Sequence, residues 1–283
     1  MDGLLLVTGA AGLTARYALR RLVDAGHRGP VRLAVKPYQD APSEADGLDV
    51  ELFRGDLADP QAMRRACEGV EAVLHTASIF LTPLLLEHAA DARHLVLVHT
   101  TGRFSRLKAA AEDYVRIEEP ALRDPRVTVL RPTMIYGGPE DRMMSRLVRF
   151  MARSPVVPHV GLGRNLMQPV HADDLAAAYV AALAKGPGGA YDLPGPEPIP
   201  FRAMLRAISA TLGRRHVLVP VPLGAARAGV RLLGDRIGLT DEQALRMTED
   251  KAFDWSDAAR DLGYAPRPFA DGIRQQVAAM GLG

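Results

Sequence analysis

The feature that most constrains the fold is a glycine-rich turn between an apolar segment and an amphipathic one near the start of the sequence. The apolar segment is 3–8 (GLLLVT) and the turn is 9–15 (GAAGLTA). Gly9 and Gly12 let the backbone turn tightly, so that peptide N–H groups can approach a phosphate at the positive end of the following helix. Ala15 is small enough for that helix to pack closely on the strand. The pattern predicts a strand, a pyrophosphate-binding turn and a helix.

Short apolar runs alternate with amphipathic stretches through the first half of the chain, as in βαβ units around a parallel sheet. Buried strands are predicted at 3–8, 31–35, 50–53, 72–75, 95–100 and 127–131. Helices are predicted at 13–26, 59–69, 81–93 and 104–123. The first two helical segments end at a glycine, which suits a helix C-cap.

After Gly137 the chain becomes richer in glycine and proline. Shorter helices are predicted there, at 142–153, 173–184 and 201–212. We therefore divide the chain into a nucleotide-binding domain, 1–137, and a smaller substrate-binding lobe, 138–283, which is partly interleaved with it.

Five residues of this lobe form an apolar helical face: Met143, Met144, Leu147, Phe150 and Met151. Such a face is more typical of a core than of a substrate pocket, although flexible methionines also suit a large apolar ligand.

The composition excludes several classes of protein. A formal net charge of +2 argues against a broad basic surface for nucleic acid, although it is compatible with a local anion pocket. The single cysteine, Cys67, rules out a disulfide framework within the chain. No apolar run approaches the roughly 18–20 residues of a membrane helix, and the first residues do not resemble a signal peptide. We expect a soluble, cytoplasmic protein that binds neither nucleic acid nor membranes.

His171, Asp173 and Asp174 have the residue types of a metal site. Their spacing suits a strand end followed by a helix N-cap better, because acidic residues are favourable near the positive end of a helix. We predict that no metal binds there.

The end of the second predicted strand indicates which dinucleotide binds. A site for NAD usually has an acidic residue there to bind the ribose 2′-hydroxyl. Here the strand ends at Lys36, and the next acidic residue is Asp40. Lys36, assisted by Arg16, would attract a 2′-phosphate, so NADP(H) is the predicted cofactor. The alternative is that Lys36 is an ordinary solvated residue.

Seven motifs, taken together in this order and spacing, resemble the extended short-chain dehydrogenase/reductase family over nearly the whole chain. They are TGAAGLTA (8–15), GDLAD (55–59), VLHTAS (73–78), LRPTMIYG (130–137), VHADDLAAAY (170–179), YDLPGPEPIPFRAML (191–205) and SDAARDLGYAPRP (256–268). The resemblance implies an α/β fold: a Rossmann-type doubly wound parallel sheet with a smaller, interleaved C-terminal substrate-binding lobe.

The resemblance also implies a set of NADP(H)-binding residues at the ends of the strands. These are Thr8, Gly9, Ala11, Gly12, Leu13, Arg16, Lys36, Asp56, Leu57, Thr76, Ala77, Lys108, Pro132 and Thr133.

The catalytic segment departs from the pattern of this family, which uses a serine or threonine and a Tyr-x-x-x-Lys motif. Lys108 aligns with the family's lysine, but Phe104 stands at the position of the tyrosine and has no proton to give. Thr100 or Thr101 lies near the serine position, and only two residues separate Thr101 from Phe104. We assign catalytic roles to Lys108, which would hold the nicotinamide ribose, and to Ser78, Thr100 and Thr101, which would orient the substrate.

Reduction of a ketone requires a proton, and with Phe104 in place of the tyrosine three outcomes remain. Tyr136 or His75 could replace the tyrosine, although both are more typical of buried structural residues. A phenol beside the ketone could supply the proton from the substrate itself. Alternatively, the protein binds NADP(H) without turnover.

Members of the family that lack the tyrosine occur in aromatic polyketide antibiotic pathways, and the chain resembles a ketoreductase of that kind. We therefore expect an NADPH-dependent reductase of a large aromatic ketone, acting as a monomer or homodimer. A non-catalytic NADP(H)-sensing regulator is the main alternative. A sugar-nucleotide epimerase or dehydratase is less favoured, because those reactions need a base that Phe104 cannot provide.

Overall fold

The computed structural model describes residues 3–141, 143–229 and 248–282. In chain order, the strands are β1 Leu5–Thr8, β2 Pro30–Val35, β3 Asp49–Arg54, β4 Ala72–His75, β5 His94–Val98, β6 Val127–Pro132, β7 Ile135–Tyr136, β8 Val156–Val160, β9 Leu166–Met167, β10 Val170–His171, β11 Ala190–Leu193, β12 Ile199–Pro200 and β13 Val217–Val221. Seven of them form one sheet in the order β11-β6-β5-β4-β1-β2-β3. All its neighbouring strands are parallel, which confirms the predicted Rossmann-type α/β fold.

The helices with both ends among the described residues are α1 Leu13–Asp24, α2 Pro60–Cys67, α3 Thr82–His88, α4 Lys108–Ala121, α5 Met144–Arg153, α6 Ala172–Lys185, α7 Phe201–Thr211, α8 Ser256–Leu262 and α9 Phe269–Ala279. Residues 223–229 are also helical. Within the same residues, no helix has both the length and the apolar character needed to cross a membrane.

The central strands β1, β4, β5 and β6 are buried on both faces, which explains their largely apolar sequences. Successive side chains of β1 point to opposite faces: Leu5 and Val7 pack into a core that includes α1 and α6, whereas Leu6 packs into a core that includes α2 and α3. All five residues of β5 are buried. The central strands therefore lie in a dry environment that fixes their ends.

A third core lies in the second half of the chain, among α5, α7 and α9. Met144 and Met151 are fully buried in it, whereas Met143 and Phe150 have exposed fractions of 57% and 44%. The apolar face predicted on α5 is therefore divided between the core and the surface. Three small two-stranded sheets, β7 with β10, β9 with β12 and β8 with β13, complete this part of the molecule.

The structure corrects several predicted boundaries. The helix predicted at 104–123 begins only at Lys108, because Thr101–Phe104 form a short 3-10 helix. Glu249 then accepts hydrogen bonds from the Ser105 hydroxyl at 2.9 Å and the Arg106 N–H at 2.8 Å, which holds the chain extended before α4. The helix predicted at 81–93 ends at His88, and the strand predicted at 95–100 ends at Val98.

No pattern in the sequence predicted β11, the seventh strand of the sheet. It pairs with β6, with Tyr191 beside Leu130, and so returns part of the second half of the chain to the central sheet.

Gly272 in α9 makes a close approach that yields a stability prediction. A Cβ atom there would lie 2.8 and 2.9 Å from the Cζ and Cε2 atoms of Tyr136, and still nearer the hydroxyl oxygen. Tyr136 is fully buried and cannot move aside. Overpacking costs up to about 3 kcal/mol, more than the roughly 1 kcal/mol that alanine normally adds within a helix. We expect Gly272→Ala to lower the Tm in a thermal melt.

The Tyr136→Phe change removes the atom closest to that Cβ position, so the double variant should recover part of the lost Tm. A Gly272→Ala protein that melts at or above the original temperature would contradict the close packing.

Candidate functional site

The glycine-rich turn has the geometry of a nucleotide cradle. Gly9 has φ +66°, and a Cβ atom there would lie 3.0 Å from the Ala77 N atom and 3.2 Å from the Thr76 hydroxyl. The Gly12 N–H donates to the Gly9 carbonyl at 2.8 Å, and a Cβ on Gly12 would lie 3.0 Å from the same carbonyl oxygen. Among the described residues, no side chain caps α1, and its first turn contains no acidic residue. The positive end of the helix is therefore left for an anion.

Side-chain hydrogen bonds join the ends of β1 and β4 beside this turn. The Thr76 hydroxyl donates to the Thr8 carbonyl at 2.8 Å, and the Thr8 hydroxyl is hydrogen-bonded to Nδ1 of His75 at 2.8 Å. These contacts bring together four of the predicted cofactor-binding residues: Thr8, Gly9, Thr76 and Ala77. The small cradle and the open helix end fit the pyrophosphate of a nicotinamide dinucleotide.

His75 is fully buried, and its Nε2 atom lies 3.2 Å from the Ser78 carbonyl. Burial lowers the pKa of this imidazole to about 4, because the charged form loses its hydration. His75 is therefore neutral near pH 7 and holds the end of β4 in place, which makes it a poor proton donor. Ser78, by contrast, is exposed at the start of the next turn.

The predicted 2′-phosphate residues have different surroundings. Lys36 is exposed, with its Nζ atom 5.9 Å from the centroid of the Tyr38 ring. Arg16 instead forms ion pairs with Glu44 at 2.5 Å and with Glu140 at 2.9 Å. A phosphate would have to compete with both carboxylates for Arg16, so Lys36 is the cation more readily available.

Asp56 and Leu57 lie in the turn that follows β3. The Asp56 carboxylate accepts the Ala58 N–H at 3.0 Å, and Leu57 is buried in the core beside α2. This arrangement fixes the turn that the resemblance places beside the adenine.

The hydroxyls predicted near the nicotinamide hold the backbone at the ends of β5 and β6. Thr100 Oγ1 accepts the Gly102 N–H at 3.0 Å, and Thr101 Oγ1 donates to the Pro132 carbonyl at 3.2 Å. Thr133 Oγ1 donates to the Gln168 carbonyl. Thr101 and Pro132, both predicted site residues, are thus in direct contact. Lys108 is the first residue of α4, and its side chain lies outside the described residues.

Phe104 lies at the end of the short 3-10 helix after β5, with 47% of its side chain exposed. The guanidinium carbons of Arg103 and Arg131 each lie 5.5 Å from the centroid of its ring. The Phe253 ring lies 5.8 Å away. The ring at the usual tyrosine position is therefore accessible and flanked by two cations, but it carries no hydroxyl.

A buried cluster of charged side chains lies next to the Phe104 ring, on the side away from solvent. Glu118, which is fully buried, accepts hydrogen bonds from Arg131 Nε at 2.8 Å and from Arg103, and its other oxygen lies 3.0 Å from His99 Nδ1. Arg131 also pairs with Asp192 of β11 at 3.2 Å. Burial alone raises the pKa of Glu118, but the hydrogen bonds from His99 and Arg131 outweigh that effect and hold the pKa well below its usual range.

Sequence reasoning missed this cluster, although two signals for it were present. His99 directly follows the apolar strand β5, and Arg131 lies within the apolar sequence of β6. A charged residue in a buried strand requires a partner, and the helix between these strands supplies Glu118.

The second residue proposed as a replacement acid is also buried. Tyr136 is fully inaccessible, its ring is 5.3 Å from those of His171 and Phe269, and burial raises the pKa of its phenol. Its hydroxyl has no hydrogen-bond partner among the described residues. It therefore belongs to the core among α5, α7 and α9.

His171 caps α6, where its Nδ1 atom accepts the Asp173 N–H at 3.2 Å. Asp173 is bound by Arg21 and Arg267, and Asp174 by Arg267. In the part of the chain that the structure describes, no three His, Cys, Asp or Glu side chains are grouped to hold a metal ion.

Comparison with known proteins places the chain in a family. Residues 5–95 and 87–193 match the NAD dependent epimerase/dehydratase family. The chain belongs to this family. Membership confirms the predicted resemblance at the level of the family. It also supports an NAD(P)-dependent oxidoreductase activity.

Two reductases are similar in sequence. Ceramide reductase of Caulobacter vibrioides is 30% identical over 63% of this chain and 60% of that protein. The 2-alkyl-3-oxoalkanoate reductase of Stenotrophomonas maltophilia is 26% identical over 97% of this chain and 98% of that protein. Among solved structures, UDP-glucuronic acid 4-epimerase from Bacillus cereus, in complex with NAD, has the same fold, with a TM-score of 0.73, 16% identity and 98% of both chains covered.

A side chain at Gly9 would crowd the end of β4, so a substitution there is predicted to weaken nucleotide binding selectively. We expect Gly9→Ala to weaken NADPH binding by about tenfold or more, because the new Cβ pushes against the end of β4 and distorts the cradle. Binding is measured by the change in NADPH fluorescence on titration.

Gly26→Ala is the matched control, since Gly26 has φ +68° but a Cβ there would meet nothing within 4 Å. Equal losses of affinity in the two variants would mean that backbone strain, and not the cradle, causes the effect.

Proposed function

We propose that the protein is an NADPH-dependent reductase of a ketone on an aromatic, polyketide-type substrate, and that the substrate supplies the proton. The observation that carries this proposal is Phe104, an exposed ring without a proton at the position of the family's catalytic tyrosine. Lys108, Ser78, Thr100 and Thr101 are proposed to shape the pocket around it. An angucyclinone is the substrate type that we favour.

NADP(H) is proposed because the exposed Lys36 directly follows β2 and the nearest following acidic side chain, Asp40, is paired with Arg54 at 2.6 Å. When bound, the nicotinamide would supply the hydride for the carbonyl carbon. The glycine-rich turn holds the pyrophosphate, and Lys36 meets the 2′-phosphate.

The burial of the two candidate residues in the protein supports the substrate as the source of the proton. His75 and Tyr136 are both inaccessible. Burial lowers the pKa of His75, so its imidazole is neutral near pH 7, and raises the pKa of Tyr136, which makes its phenol a weaker acid. A phenol next to the ketone places a proton on the carbonyl oxygen as the carbon is reduced. The phenolate left behind is delocalised over the ring and regains its proton from water.

Two exposed aromatic rings support an aromatic substrate. Phe80 follows β4 and Phe104 follows β5, the neighbouring strand, with exposed fractions of 55% and 47%. Rings of this kind bury large apolar area when they contact a flat ligand and favour offset or edge contacts with it.

The cofactor proposal predicts a reversal of preference in Lys36→Glu. A carboxylate there repels the 2′-phosphate of NADPH and can accept a hydrogen bond from the 2′-hydroxyl of NADH. We expect NADPH affinity to fall by about tenfold or more, with NADH affinity unchanged or improved, in parallel fluorescence titrations.

Lys185→Glu makes the same change of charge at the end of α6 and should leave both affinities alone. An unaltered preference in Lys36→Glu would remove Lys36 from the site.

The proton proposal predicts the behaviour of Phe104→Tyr. A tyrosine adds a proton donor that a phenolic substrate does not need, so the rate of NADPH oxidation on a hydroxyaryl ketone should change by less than about threefold. The corresponding O-methyl ether should react only with the variant. Absorbance of NADPH at steady state measures all four rates.

Turnover of the O-methyl ether by the original protein would indicate an acid in the protein. Absence of turnover on a panel of such ketones, with NADPH bound tightly, would favour the NADP(H)-sensing alternative.

A further inference from the structure

A second concave surface lies on the smaller lobe, formed by residues that take no part in the nucleotide site. It is a groove of about 380 Å³ lined by Arg202, Arg206, Ser209, Arg214, Arg215, His216 and Leu218. We call it the arginine groove.

Local structure explains why these residues converge. Arg202 and Arg206 are four residues apart on α7 and therefore share one face of the helix. After the helix, Gly213 adopts φ +62° and the Arg214 N–H donates to the Ser209 carbonyl at 3.1 Å, which turns the chain back along α7. The turn brings Arg214 and Arg215 to the same groove.

His216 fixes the position of this turn. Its Nδ1 atom lies 2.9 Å from the Ser209 hydroxyl, and its Nε2 atom lies 2.7 Å from the Met151 carbonyl. Both ring nitrogens are thus engaged with α7 and α5, so the groove is held by packed elements on two sides.

The positive charge of the groove is not neutralised by the described part of the protein. No carboxylate there forms an ion pair with any of the four arginines, unlike Arg16, Arg131 and Arg267. The sequence explains this difference, because the stretches 142–172 and 198–229 each contain five arginines and no aspartate or glutamate. Like charges on one helix face are unfavourable, and a bound anion would relieve their repulsion.

We propose that the arginine groove binds a small diphosphate group. Guanidinium groups pair with phosphate oxygens through two parallel hydrogen bonds, and four of them match the several charged oxygens of a diphosphate better than those of a single phosphate. The volume of about 380 Å³ suits a small ligand. The groove lining includes no phenylalanine, tyrosine or tryptophan on which a base could stack, which argues against single-stranded nucleic acid.

Calorimetric titration of the full chain with inorganic pyrophosphate tests the proposal, with and without saturating NADPH. We expect one binding site per chain that NADPH does not displace and that weakens as salt rises, because salt screens the guanidinium charges. Arg214→Ala/Arg215→Ala should lower the affinity by about tenfold or more.

Arg64→Ala/Arg65→Ala is the matched control, since it removes two adjacent exposed arginines from α2. It should bind pyrophosphate as the original protein does, and unchanged NADPH binding and Tm in both double variants would exclude misfolding. Equal affinity for ADP would show that the diphosphate is what the groove binds, whereas tighter binding of ADP would identify a nucleoside diphosphate as the source. Displacement by NADPH, equal losses in the two variants or no binding at all would overturn the proposal.

Discussion

The contact between the ends of β1 and β4 is the constraint on which the rest of the site depends. In the sheet, β1 has β2 on one side and β4 on the other, so the connections run in opposite directions from this point. Such a reversal opens a crevice at the carboxyl ends of the strands. The backbone turns at Gly9, close to Thr76 and Ala77, at this crevice. The direction of the turn then sets the start of α1. A side chain at Gly9 would separate the two strand ends.

Residue patterns predicted the centre of the fold because the determinants there are local. A parallel strand buried on both faces needs a short apolar run, and six such runs gave six strands in the first half of the chain. The later start of α4 and the existence of β11 depend on distant partners. Glu249 binds Ser105 from 144 residues away, and β11 is held by its pairing with β6. No local pattern contains that information.

The same distinction applies to the site. The glycines were predictable because their conformation is needed where they stand. The environment of Arg16 was not, because Glu44 and Glu140 lie 28 and 124 residues away in sequence. His75 and Tyr136 were open to two interpretations until their burial was known. Buried charges in apolar strands, such as Arg131, were the one signal of long-range structure that the sequence offered.

The cluster under Phe104 has a consequence for how this position tolerates mutation. Glu118 binds three partners, His99, Arg103 and Arg131, and replacing any of them removes part of the compensation for its buried charge. The Phe104 ring packs on this cluster and is partly exposed to solvent, so its own replacement disturbs few contacts. The side chain proposed to meet the substrate can therefore be exchanged while the charged cluster next to it stays constant. Directed evolution of new substrate preferences would best begin at residue 104 and leave the charged residues beneath it untouched.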